Sequence, residues 1–284
     1  MKEPLLFPPV WHKIKRHGFD SYNETTAMTT LFKMNQGAPE RRSRIVGAML
    51  GGAVGDALGA PAAFMDISAM RERYGKAGIF RMESAYGRRG AITDHTRMAL
   101  FTAEGLLLSQ VRQEYGREEH AATALYHAYL RWLVTQDLHE QGELVRQHGS
   151  CAVVDGILIG YRELFARRSP CQSCLSALRS GKMGTMDRPV SGSRGCSGVT
   201  RVAPVGLVCV DARRAFDLGC ASAAITHGHP DGYLAAGFLA ALLSRLASGQ
   251  SLHDAVADAT GFLTGYGGHG KCLEAIEKAV AWSH

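Results

Sequence analysis

No stretch of about 18 uncharged apolar residues, the length a membrane-crossing helix needs, occurs in this chain of 284 residues. The nearest approach, residues 45–64, carries Asp56 and five glycines, so no membrane contact is expected. The opening Met1-Lys2-Glu3-Pro4 lacks the apolar core and small-residue cleavage site of a secretory signal. Cysteine is too sparse and scattered for a disulfide framework: Cys151, Cys171, Cys174, Cys196, Cys209, Cys220 and Cys272 make an odd set of seven. A reducing, cytoplasmic location follows as the expectation. Only one C-x-x-C is present, Cys171-Gln172-Ser173-Cys174, whereas a structural zinc site usually draws on two such pairs. Free thiols are therefore expected there. A strong charge of one sign is also missing, with 32 Lys/Arg against 26 Asp/Glu and a net charge of +6. Residues 1–44 hold eight basic and four acidic side chains, and the other 240 hold 24 and 22. With no basic stripe on the body, nucleic acid is not an expected partner.

What is present is the composition of a globular protein, 46% hydrophobic with 33 Gly and 9 Pro. Residues 1–44 form a basic arm that contains Phe7, Trp11, Phe19 and Tyr22. It reads as an extension packed on the body or as an arm that grips a partner, since aromatic anchors are enriched at interfaces. From residue 45 onward the apolar spacing is helical, over residues 45–58, 97–110, 119–135, 153–165, 213–226, 233–248, 252–264 and 271–282. Strand alternation of useful length is missing. The expected fold class is all-α. The Gly- and Ala-rich helix at 45–58 is expected to be buried among close neighbours. Residues 169–201 form the longest irregular stretch, and a loop that long is usually functional or mobile.

Three segments carry chemistry. Asp56 lies in the apolar, glycine-rich run 51–61, where a carboxylate needs hydrogen bonds or a cation to offset its burial. It reads as a cap on a neighbouring element or as a group that holds a ligand. Thr93, Asp94 and Thr96 gather oxygen atoms just before a helix. Such residues cap helices, and they are also the donors a Mg²⁺ ion prefers. Residues 191–204 combine Gly195, Ser197, Gly198 and Arg201 in a loop that leads toward a helix, a composition suited to cradling phosphate. His227 and His229 follow, either as loop histidines bonded to backbone or as a metal pair.

Four stretches in this order carry a resemblance: 44–65 (RIVGAMLGGAVGDALGAPAAFM), 87–107 (GRRGAITDHTRMALFTAEGLL), 195–207 (GCSGVTRVAPVGL) and 226–243 (THGHPDGYLAAGFLAALL). From about residue 44 to the C-terminus the chain resembles the ADP-ribosylglycohydrolase family, all-helical enzymes that remove ADP-ribose from modified proteins. The resemblance implies a pair of Mg²⁺ ions held through a Thr-Asp-Asp-Thr motif and a C-terminal Asp-x-Asp-Thr/Ser motif. On this sequence Thr93, Asp94 and His95 would be the metal ligands, with Asp94 and Asp56 as the catalytic carboxylates. ADP-ribose would contact Gly195, Ser197, Gly198, Arg201 and His227.

The departures shape the functional expectation. His95 stands where the family motif has a carboxylate, and imidazole is a poor replacement at Mg²⁺. Ala63 stands where members often carry an acidic residue, and a methyl group cannot take a proton. After Gly195 the aspartates are Asp211, Asp217, Asp231, Asp254 and Asp258, none spaced as Asp-x-Asp. The resemblance thus implies a domain without the family's C-terminal part. Beside a truncated or decayed copy with no surviving function, two readings follow. One is an immunity protein that blocks an ADP-ribosyltransferase toxin through Phe7, Trp11, Phe19 and Tyr22. The other is a Mg²⁺-dependent hydrolase that removes ADP-ribose from arginine side chains.

Overall fold

The computed structural model describes residues 39–116, 120–137 and 141–283. Phe7, Trp11, Phe19 and Tyr22 lie outside the described residues. The chain divides into two units, Met1–Arg44 and Ile45–His284. Among the described residues the second is all-helical apart from one two-stranded ribbon, β1 (Ser84–Ala85) paired antiparallel with β2 (Arg88–Arg89).

The first helix, α1 (Pro39–Gly59), differs from expectation. Among its residues only Ala57 is buried. Val46, Leu50 and Val54 are exposed, and a Cβ added to Gly47, Gly51, Gly52 or Gly55 would meet open space. No described helix packs along its length, so the small residues that promised close neighbours face none among the described residues. By length and composition alone, Pro39–Ala62 is long and apolar enough to cross a membrane. Asp56, near its end, ties it to the helical body as described below. The short α2 (Ile67–Tyr74) is capped by Asp66, whose carboxylate accepts from the Ala69 N–H.

The main core begins with α3 (Asp94–Glu114) and α4 (Ala121–Gln136), which pack on each other closely enough that a Cβ at Gly105 would stand 3.0 Å from that of Ala128. Phe101, Leu125, Tyr129, Leu130, Trp132 and Leu133 form this core. After α5 (Gln141–His148) and α6 (Ser150–Val153) the expected helix over 153–165 is replaced by two single turns, Leu158–Gly160 and Arg162–Leu164. The cause is a buried ion pair beneath it. Arg131 Nε donates to Glu104 at 2.7 Å, and the Leu158 N–H donates to the same carboxylate at 2.7 Å. A Cβ at Gly156 would fall 2.6 Å from Arg131 Nε, so only glycine lets the backbone approach this pair.

The stretch expected to be irregular contains a helix, α7 (Gln172–Arg179), with Cys174, Leu175, Ala177 and Leu178 buried along one side. Its apolar positions recur at helical spacing, and the serines and glycines around it mask the pattern in sequence. Two short helices follow, α8 (Ser197–Thr200) and α9 (Ala203–Val208). The most extensively packed pair among the described helices is α10 (Ala212–Ala224) with α11 (Pro230–Ala247). Gly219 and Gly237 permit the crossing, since a Cβ on Gly237 would sit 2.4 Å from Cys220 Sγ. A second apolar cluster around Phe216, Leu234 and Leu263 joins them to α12 (Leu252–Leu263), and Ile276 of α13 (Gly270–Ala281) packs against it.

Candidate functional site

Two constellations stand apart from the packing. The first is built at the start of α3. Thr93 is its N-cap, in extended conformation, with its hydroxyl accepting from the His95 N–H at 3.1 Å. Asp56 reaches the same turn from α1. Its Oδ2 accepts from the Thr93 N–H at 2.7 Å and from the Thr96 hydroxyl at 2.6 Å, and its Oδ1 accepts from the Thr93 hydroxyl at 2.7 Å. The structure thus brings Asp56, Thr93 and Thr96 together as a cap supplied from a separate helix. A carboxylate at a helix N-terminus satisfies orphan N–H groups and meets the positive end of the helix dipole.

Asp94 points the other way, into the core. Its Oδ1 accepts from Arg97 at 2.7 Å, Trp132 Nε1 at 2.9 Å and Gln136 Nε2 at 3.2 Å, while its Oδ2 accepts from the Arg168 N–H at 3.0 Å. Burial pushes its carboxyl above the usual range, with Arg97 and the three other donors working against that shift. Arg97 in turn donates to the carbonyls of Leu164 and Ala166 and to Thr135 Oγ1. His95 is half-buried and Ala63 is exposed. Arg97, Trp132, Gln136 and Arg168 were not legible as partners of Asp94, because they lie up to 74 residues away and belong to ordinary helical or basic patterns.

The second constellation gathers around residues 191–201. Gly195 is exposed and its backbone faces His227, where an added Cβ would lie 3.3 Å from Nε2. Ser197 and Gly198 are buried in the single turn of α8, and a Cβ at Gly198 would press on Ala223 of α10 at 2.8 Å. Gly198 is therefore a packing glycine. Arg201 is fully buried, donating to the Ser222 carbonyl and to Thr226 Oγ1, both at 2.8 Å, and stacked 4.1 Å from the centre of the Tyr129 ring. Its guanidinium holds α8 against α10 and α4. His227 is also fully buried, with Nδ1 2.8 Å from Thr226 Oγ1. His229 caps α11 through Nδ1, accepting from the Asp231 N–H at 3.1 Å.

Cys171, the N-cap of α7, completes this second group. Its Sγ accepts from the Cys174 N–H at 3.3 Å and lies 3.8 Å from His227 Nε2. The Cys174 thiol above all, and then His227 and Ser197, hold the Cys171 thiol down to about 3 against the effect of burial. The same contact and burial push Cys174 well above its ordinary value. Among the described residues, Cys171, Cys174 and His227 are the group of His, Cys, Asp or Glu side chains whose donor atoms converge, all within 4.8 Å of one another. The C-x-x-C and the histidine were each visible in sequence, but nothing there joined them.

A family model described as ADP-ribosylglycohydrolase matches residues 37–284. The chain belongs to the ADP-ribosylglycohydrolase family. No curated protein matches it. Members of this family act on ADP-ribosylated substrates and depend on metal, and here the metal would fall to Thr93, Asp94 and His95. The donor set does not fit Mg²⁺. That ion demands an octahedron of oxygens around one point. Asp56 and Asp94 diverge, Asp94 is committed to four N–H donors, and His95 offers nitrogen. Among the described residues, the convergent group is made of sulfur and imidazole.

Proposed function

We propose that this ADP-ribosylglycohydrolase-family protein counteracts protein ADP-ribosylation without turnover, as a cytoplasmic immunity protein that occupies an ADP-ribosyltransferase toxin. One observation carries the reading: both oxygens of Asp94 are bonded within the core, to Arg97, Trp132, Gln136 and the Arg168 N–H. A carboxylate in that position cannot bind a cation or activate water without breaking a buried ion pair, a loss of about 3–5 kcal/mol. Ala63 supplies no proton acceptor, and His95 supplies no further carboxylate. What a family member in this state keeps is its recognition surface, with the exposed Gly195 left to meet an ADP-ribosyl group.

The alternative is a Mg²⁺-dependent hydrolase of ADP-ribosylarginine. One experiment separates the two. The full chain is incubated with an ADP-ribosylated arginine peptide and Mg²⁺, and in parallel with an active transferase and its target. The expected result is no release of ADP-ribose above background and stoichiometric inhibition of the transferase. Release that depends on Mg²⁺ and disappears in Asp94→Asn would establish the hydrolase and overturn the antagonist.

A further inference from the structure

We infer that Cys171, Cys174 and His227 form a binding site for one zinc-class cation, with its fourth position open toward the Gly195–Ser197 loop. The inference stands apart from the immunity reading. A Mg²⁺ enzyme and an inert blocker would carry this cluster equally well.

Geometry comes first. The start of α7 presents two sulfurs one helical turn apart, and the segment leaving α10 brings His227 to them across 56 residues of chain. A tetrahedral zinc with Zn–S near 2.3 Å and Zn–N near 2.0 Å places sulfur and nitrogen about 3.6 Å apart. Cys171 Sγ and His227 Nε2 stand at 3.8 Å. That pair is within a few tenths of an ångström of the chelating distance, and all three donor atoms lie within 4.8 Å of one another. Thiolate and imidazole donors select zinc over the oxygen-seeking Mg²⁺ and Ca²⁺.

The surrounding hydrogen bonds leave the donor atoms ready. Thr226 Oγ1 accepts from Arg201 at 2.8 Å and lies 2.8 Å from His227 Nδ1 and 3.9 Å from Cys174 Sγ. A hydroxyl has one proton and two lone pairs. If it accepts from Arg201 and from His227 Nδ1–H, its own proton turns to the Cys174 sulfur. His227 is then held in the tautomer with Nε2 bare. Orientation of a ligand imidazole through its other nitrogen is the usual arrangement around protein-bound metals. Arg201 NH1, 3.6 Å from Cys174 Sγ, adds a second donor to that sulfur and favours its thiolate.

The fourth side lies toward the exposed Gly195, although Cys174 and His227 are themselves fully buried. Cys171 is only half-buried, and Gly195 keeps its backbone beside His227 Nε2, where a Cβ would stand 3.3 Å away. Three protein ligands and one free position leave room for water or an anionic oxygen.

The test uses the full chain, reduced and stripped of metal, titrated with Co²⁺ without oxygen and then with Zn²⁺. The expected result is one equivalent of Co²⁺, with thiolate-to-metal charge-transfer absorption and tetrahedral d–d bands, displaced by Zn²⁺. Cys171→Ser should halve the charge-transfer intensity and weaken binding about 100-fold or more. His227→Gln should weaken it as much while keeping the thiolate absorption, and Cys209→Ser should change nothing. Bound Zn²⁺ should also shield Cys171 and Cys174 of the unaltered protein from alkylation, a readout that needs no variant to fold. Absence of the bands, or bands undiminished in Cys171→Ser, would overturn the proposal. So would a protein that takes up no Co²⁺ and whose Cys171 and Cys174 close into a disulfide when air is then admitted as the oxidant.

Discussion

The carboxylate of Asp94 and the guanidinium of Arg97 lie 2.7 Å apart, both with almost no exposure to water. Each is the main compensation for the other's loss of hydration. Asp94→Ala should therefore cost far more than an N-cap substitution, because it strands a buried cation and also frees Trp132 Nε1 and Gln136 Nε2. The expected loss is about 3–5 kcal/mol in urea unfolding, with the native helical signal retained below the transition. A loss near 1 kcal/mol, the ordinary worth of a helix cap, would mean that water reaches the pair. The same position thus reads as a metal ligand in sequence and as a core anchor in space.

Between elements, glycine has two different uses in this chain. Gly237 of α11 lets α10 approach, since an added Cβ would come 2.4 Å from Cys220 Sγ and 2.9 Å from the Phe216 carbonyl. Gly52 of α1 has nothing within 4 Å. Gly237→Ala should destabilise the fold by about 1–3 kcal/mol through overpacking. Gly52→Ala should instead stabilise α1 by about 1 kcal/mol, the helix-propensity difference at an exposed interior position. Paired thermal melts check both signs. A destabilising Gly52→Ala would show that α1 has a close neighbour in solution. The turns at Leu158–Gly160 and Arg162–Leu164 make a related point: where a buried carboxylate such as Glu104 claims a backbone N–H, helical periodicity loses to the hydrogen bond.

For the molecule as a whole, the expected consequence of the oxygen-donor geometry is a lack of response to Mg²⁺. A ligand that binds only the native state, present at 100 times its dissociation constant, adds about 2.7 kcal/mol. For a body of this size that corresponds to a rise of roughly 5–10 °C in melting temperature. With Asp56 and Asp94 pointing apart and Asp94 fully hydrogen-bonded, millimolar Mg²⁺ should leave the melting temperature unchanged and chelation should not lower it. A rise of several degrees with Mg²⁺ alone would show that the start of α3 rearranges to hold the ion.

The sequence by itself determined the class of fold and most of its elements. Apolar spacing is a local property, and the helices at 97–110, 213–226, 233–248, 252–264 and 271–282 appear within a few residues of where it put them. The family's glycine- and aspartate-bearing motifs are contiguous strings, so membership was legible from them, and the family model's match over 37–284 agrees. Thr93 as an N-cap was likewise readable, because a cap acts over three residues. Only the tertiary structure decided what the charged and polar side chains do. Asp56 finds Thr93 across 37 residues, Arg201 closes on Thr226 across 25, and Cys171 meets His227 across 56. A buried polar group must find partners wherever the packed chain brings them, and no periodicity in the sequence encodes those distances. The exposure of α1 belongs to the same class, since a small apolar face shows only that a helix can be packed against, and the neighbours decide whether it is.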